Sequence, residues 1–203
     1  MVSATSMSHV LLCAGSLDEW AATSVDDWRA RLDLVAKAAS AGGAEWATII
    51  PARAHSSSEL GVGVSGTNEQ VSQAIGQRLV SSCGGVWYAK RVVVLCAGGV
   101  TVIVDPQPDG QQRIADAATQ IATVSAINED QLAAAICAPA PNEPDLVIVL
   151  GPATVMPTSL VWELAYAEIV FFDAPWQALD AEHVEMAIDD FTRRDRRFGG
   201  VDS

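Results

Sequence analysis

Leu146-Val-Ile-Val-Leu150 is apolar at every position and is bracketed by Pro144-Asp145 and Gly151-Pro152. A strand with one wet face alternates apolar and polar residues. A short, β-branched run without alternation suits a strand covered on both faces, as in a parallel sheet flanked by helices. Working outward, comparable runs occupy 9–13, 46–50, 92–96, 100–104 and 169–172. Helical patterns lie between them. Val25, Trp28, Leu32, Val35 and Ala39 share one face, and Gly42-Gly43 closes that helix. Val71, Ile75 and Leu79 mark a second, and Ile114, Ala117, Ala118 and Ile121 a third. A short one passes through Leu132 and Ile136, another through Leu160, Trp162 and Tyr166. The last holds Val184, Ala187, Ile188 and Phe191 behind Asp180 as N-cap. This alternation predicts one α/β domain over residues 1–203, with a mostly parallel central sheet flanked by helices. The runs 92–96 and 100–104, separated by Ala97-Gly98-Gly99, also fit a hairpin.

Composition narrows the function. A net charge of −13 argues against nucleic acid, whose binding needs a basic face. No apolar run approaches the ~20 residues of a membrane helix, and the first residues lack the basic start of a secretory signal, so a cytoplasmic location is expected. The four cysteines form no C-x-x-C pair and read as free buried thiols; with His9, His55 and His183 they make no metal-ligand spacing. One charge feature departs from the acidic whole: Arg193, Arg194, Arg196 and Arg197 crowd the C-terminus.

Generic motifs yield little. Gly61-Val-Gly63-Val-Ser-Gly66 spells G-x-G-x-x-G, but a Ser-rich loop rather than a strand precedes it, so it reads as a flexible loop. Asp105-Pro-Gln-Pro-Asp-Gly110 reads as a turn; Asp109 could serve as a base, but a lone loop carboxylate is more often solvated. Asp180, Glu182 and Glu185 suit the positive end of a helix dipole.

A resemblance carries more. Glu143-Pro-Asp-Leu-Val-Ile148, Trp162-Glu-Leu-Ala-Tyr-Ala-Glu168, Phe171-Phe-Asp-Ala-Pro-Trp176 and Arg193-Arg-Asp-Arg-Arg-Phe-Gly-Gly200 follow one another as in the cis-prenyltransferases, the undecaprenyl diphosphate synthase family. Upstream, His9-Val10 with Trp20-Ala21 frames the place of H-V-x-x-x-M-D-G-N-G-R-W-A. Thr101-Val-Ile-Val104 with Asp109-Gly-Gln111 stands where that family has T-L-N-I-A-x-N-Y-G-G-R. The resemblance implies a dimeric α/β protein acting on prenyl diphosphates with Mg²⁺, the diphosphate being gripped by arginines and backbone N–H groups.

Against that pattern the losses stand out. The essential aspartate falls at Gly15, in Ala14-Gly-Ser-Leu-Asp-Glu19, where Glu19 also replaces an arginine and only Asp18 offers a shifted carboxylate. The G-G-R arginine is Gln111. The arginines of R-T-S-G-E-x-R fall at Val149 and Val155. At ~1.5–3 kcal/mol for each charge-assisted contact, these changes remove most of the diphosphate affinity. The middle segment also reads shorter than in the family. No catalytic residue is therefore expected in this chain's own pocket, and any Mg²⁺ belongs to a catalytic partner. Arg197-Phe-Gly199 matches the R-x-G that reaches across the family's dimer interface. Losses with this survival resemble the non-catalytic Nogo-B receptor-type subunit, which implies a heterodimer with a catalytic homologue, Arg197 and Gly199 acting in trans. Read on chemistry alone, the arginines equally cap a helix C-terminus. Glu168 matches a family glutamate and is a candidate metal or interface carboxylate; the face around 162–172 is the candidate interface. Two other readings are a diverged stand-alone prenyl diphosphate transferase and a homodimer holding a prenyl lipid. Polyprenyl products imply peripheral contact with a membrane surface.

Overall fold

In the computed structural model, which describes residues 7–54, 66–122, 127–165 and 167–193, the apolar runs become strands. They are β1 (His9–Ala14), β2 (Trp46–Ile50), β3 (Val86–Tyr88), β4 (Arg91–Leu95), β5 (Thr101–Val104), β6 (Leu146–Leu150) and β7 (Glu168–Phe172). One sheet joins them in the order β3-β4-β5-β2-β1-β6-β7. The ladders from β5 through β2, β1 and β6 to β7 are parallel, whereas β3–β4 and β4–β5 are antiparallel. The hairpin alternative for 92–104 is the one adopted: Gly98 and Gly99, both at φ +84°, turn the chain between β4 and β5.

Helices α1 (Leu17–Ala22), α2 (Val25–Ala41), α3 (Asn68–Cys83), α4 (Gly110–Gln120), α5 (Glu129–Cys137) and α6 (Ala181–Arg193) complete the layers. The strand period of two sorts the side chains between faces. Val10, Leu12, Ala47, Ile49, Val102 and Ile148 meet Trp28, Leu32 and Val35 of α2, Ile75 and Leu79 of α3, and Val184 and Phe191 of α6. Leu11, Cys13, Ile50, Val147 and Val149 point the other way and pack on Leu160. Asp180 caps α6 as expected, accepting from the His183 N–H at 3.1 Å.

Two expectations fail. The helix through Leu160, Trp162 and Tyr166 is not formed; the described part holds one 3₁₀ turn, Glu163–Ala165, and Tyr166 lies outside the described residues. Of positions 160, 162 and 166 only the last two stand at helical spacing, and Glu163 turns its carboxylate inward, to 3 % exposure, instead of out to solvent. The thiols are free, but only Cys13 and Cys137 are buried; Cys83 and Cys96 are half-buried at element ends.

The second face is partly polar. His9 is buried between the Asn142 carbonyl, 2.8 Å from Nδ1, and Thr48 Oγ1, 2.8 Å from Nε2. A carbonyl only accepts, so Nδ1 carries the proton and Nε2 accepts from the threonine hydroxyl. Burial, the larger influence, holds the His9 pKa below its usual 6.5 despite the raising effect of the Asn142 carbonyl. The folded chain therefore keeps His9 neutral while the unfolded chain takes up a proton below 6.5. That stability is fully present above 6.5 and is lost as pH falls toward the lower, folded value. The urea midpoint is expected to drop on acidification through this window, and to drop less in His9→Gln; parallel curves for the two proteins would refute the assignment.

Candidate functional site

In open parallel sheets, ligands bind beyond the carboxyl ends of the strands, where the chain order reverses. Here β2 lies on one side of β1 and β6 on the other, so the reversal falls between β1 and β6. At that place the strands end in Gly15 and Gly151, and a cleft of ≈ 220 Å³ opens between them. Gly15, Ala52, Arg53, Val149, Val155 and Thr158 are among its walls. Three of the five positions at which the resemblance implies a lost charge thus converge: Gly15, Val149 and Val155. Glu19, on α1, lies outside the lining. So does Gln111, on the first turn of α4, one residue past Gly110, whose N–H donates to the Thr158 carbonyl at 3.0 Å.

The loop after β1 is built tightly. Ser16 caps α1 and forms a capping box: its hydroxyl accepts from the Glu19 N–H, and the Glu19 carboxylate accepts from the Ser16 N–H at 2.7 Å. Gly15 sits at φ +69°, and its carbonyl accepts from the N–H groups of Ala52 and Arg53. A Cβ there would lie 3.0 Å from both Cβ and Cγ of Trp176. Trp176 is wedged among Trp20 and Trp28, ring centroids 5.3–5.9 Å apart, with the Arg31 guanidinium 4.6 Å over its face. The place a side chain would take at position 15 is crowded by Trp176 and Trp20.

Charge around the cleft is sparse. Val149 is 1 % exposed and Val155 61 % exposed. Asp109 is the N-cap of α4, accepting from Gln111 N–H at 2.9 Å and Gln112 N–H at 3.2 Å, so its oxygen is committed to the backbone rather than poised as a base. Arg53 is the sole charged residue among the described lining, and Glu19 approaches it only to 3.8 Å. No motif marked Arg53 in the sequence.

Comparison with known proteins fits this geometry. The fold matches the crystal structure of lavandulyl diphosphate synthase from Lavandula x intermedia, covering 94% of this chain and 97% of that one, with a TM-score of 0.57 at 16% identity. The family model for undecaprenyl diphosphate synthase matches residues 93–199, more than half of the 203. The chain belongs to that family. Among curated members, the isoprenyl transferase of Neisseria meningitidis is 36% identical over 103 residues, 50% of this chain and 42% of that protein. The farnesyl-diphosphate-specific ditrans,polycis-undecaprenyl-diphosphate synthase of Lactiplantibacillus plantarum is 38% identical over 114 residues, 56% of this chain and 40% of that one. The matched stretch thus spans about two-fifths of these relatives' own length.

For this undecaprenyl diphosphate synthase family member, the magnesium implied by the resemblance can be tested against the residues present. Mg²⁺ is held by one or two carboxylates together with substrate phosphates. The described lining of the cleft offers none, a side chain at position 15 would crowd Trp176, and Glu19 is tied into its capping box. No group of three or more described His, Cys, Asp or Glu side chains is arranged to hold a metal. The donor set does not fit the ion.

Glu168 does not join the cleft. It opens β7, pairing with Leu146, whereas the cleft lies at the far, carboxyl ends of the strands. Arg197 and Gly199, like Gly61 and Gly63, lie outside the described residues. Behind the cleft runs an ion network that sequence reading missed. Asp105 Oδ2 lies 2.8 Å from Arg91 Nε and 3.3 Å from Arg113 Nε, and Arg113 Nη2 lies 2.8 Å from Glu163 Oε1. Arg113 Nη1 also donates to the Ser159 carbonyl at 3.1 Å. The network ties the start of α4 to the β6–β7 connection.

Proposed function

We propose that this chain is a non-catalytic subunit of a heteromeric cis-prenyltransferase, active in making polyprenyl diphosphate only beside a homologue that keeps the aspartate and arginines. One observation carries the reading: a cleft opens at the β1–β6 reversal, and the positions that the resemblance aligns with charged family residues stand there as Gly15 against Trp176, buried Val149 and exposed Val155. The names of its relatives, an isoprenyl transferase and an undecaprenyl-diphosphate synthase, support prenyl diphosphate as the substrate class of the assembly. In this reading Arg197 and the Gly199 backbone reach the partner's diphosphate, and Mg²⁺ is bound there. The partner surface is the β6–β7 connection with strand β7. Met156, Val161 and Leu164 are 45 %, 38 % and 43 % exposed, and β7, an edge strand, stays half-buried along Ile169–Phe172 although all four residues are apolar. None of the described helices is long and apolar enough to cross a membrane; contact with a lipid surface comes through the polyprenyl product.

Co-expression with an intact homologue from the same organism tests this. Product formation is expected only when both chains are present. Arg197→Ala is expected to lower it about 10- to 100-fold, the worth of one charge-assisted contact. Turnover by the purified chain alone, or a catalytic homologue that forms its own homodimer and ignores this chain, would falsify the proposal.

A further inference from the structure

The cleft that lacks diphosphate-gripping groups still has a defined chemistry. Ala52, Val149, Leu150, Met156 and Pro157 make its walls apolar, and Arg53 stands at its rim. Arg53 is well placed to receive an anion. Its side chain is 75 % exposed, and the Glu19 carboxylate, at 3.8 Å, is too far to take up the guanidinium's donors. Glu19 cannot close that gap freely, because it already accepts from the Ser16 N–H at 2.7 Å and from Gln177 Nε2 at 3.1 Å. An incoming head therefore meets one cation with open donors and, just behind it, one fixed negative charge. A diphosphate, carrying more charge than a carboxylate or a phosphomonoester, is repelled most by Glu19 and has no metal to neutralise the excess. A head with a single anionic group finds its match in Arg53.

We infer that this cleft binds an amphiphile with one anionic head, a carboxylate or a phosphomonoester, and a short apolar tail, with no metal ion involved. The inference rests on the reading above that the cleft has left diphosphate chemistry. At ≈ 220 Å³ it is smaller than the ~300–1,000 Å³ of sites for drug-sized ligands, so a tail of about ten carbons is the size to test. Tail contacts fall on Val155 and Met156, the exposed apolar side chains of the lining, and the guanidinium forks onto two oxygens of the head.

Isothermal titration of the purified full chain with decanoate, geranyl monophosphate, geranyl diphosphate and decanol, each in Mg²⁺ and in EDTA, decides the matter. Decanoate and geranyl monophosphate are expected to bind saturably, with the same Kd in both buffers. Arg53→Gln is expected to weaken both at least tenfold while leaving decanol binding unchanged, which also shows that the variant is folded. Absence of saturable binding by either amphiphile, or binding indifferent to Arg53→Gln, overturns this inference and leaves the subunit proposal standing. Tighter, Mg²⁺-dependent binding of geranyl diphosphate overturns both.

Discussion

Arg113→Met is expected to cost about 3–5 kcal/mol of folding stability, a large share of the ~5–15 kcal/mol that holds an ordinary domain folded. The guanidinium is 6 % exposed and lies between two carboxylates that are also buried, Asp105 and Glu163. Burial alone lowers the pKa of such a group; Glu163 and Asp105 reverse that effect and leave it raised, so Arg113 is a cation throughout the working range. Methionine fills the volume but supplies no charge. Asp105 retains Arg91 at 2.8 Å. Glu163 is left worse off, because its Oε2 has no hydrogen-bond partner among the described residues and its Oε1 loses the ion pair. An uncompensated carboxylate in that position must protonate or drag its turn into water. Urea denaturation measures the loss. Pairing the change with Glu163→Gln should recover a substantial part, since the second substitution removes the stranded charge. A loss under about 1 kcal/mol for the single variant would mean that water reaches the network and screens it.

Placing at position 15 the acid that the resemblance implies there is expected to harm the fold without conferring metal binding. Gly15 holds φ +69°, where a side chain costs roughly 1–2 kcal/mol, somewhat less for aspartate. The new Cβ would meet Trp176 Cβ and Cγ at 3.0 Å and Trp20 Nε1 at 3.3 Å. Neither indole yields easily. Trp176 is 1 % exposed and donates through Nε1 to Thr23 Oγ1 at 3.1 Å; Trp20 donates to the Ala14 carbonyl at 2.9 Å. Overpacking of this kind costs about 1–3 kcal/mol, so Gly15→Asp is expected to lose about 2–4 kcal/mol in all. Titration of the variant with Mg²⁺ and a prenyl diphosphate should give no saturable heat, since the arginine positions remain Gln111, Val149 and Val155. A stable Gly15→Asp that binds magnesium would mean that the loop after β1 relaxes readily, and that loss of the acid is a recent and reversible step.

Much of the sheet was legible because its strands are covered on both faces. Runs such as Trp46–Ile50, apolar but for Thr48, and Leu146–Leu150, apolar from end to end, stop at Pro51 and Gly151, so pattern and structure agree in their bounds. Short elements were not. Strand β3 has three residues and follows two glycines, and α1 has six, too few to show a period; its one signal, the Ser16-x-x-Glu19 box, went unread in the sequence. The false helix at 160–166 arose from counting apolar residues without asking where Glu163 would put its charge. At the site, the likeness to a family brought Gly15, Val149 and Val155 to one cleft, a convergence that residue spacing alone does not contain. Arg53 escaped notice because a lone arginine before a polar loop has no pattern. The Asp105–Arg113–Glu163 cluster escaped for another reason: its members come from three separate segments, and only the packing of α4 on the β6–β7 connection makes them neighbours.

The indole cluster beside Gly15 has an optical consequence. Trp20, Trp28 and Trp176 touch at fixed and different inclinations, 89°, 34° and 56° between ring planes. Chromophores so close and so rigidly crossed couple their transitions, giving paired bands of opposite sign in near-ultraviolet circular dichroism. Because one of the three forms the floor beneath the β1 turn, anything that settles there should alter those bands, and the native chain carries its own dye-free gauge of occupancy.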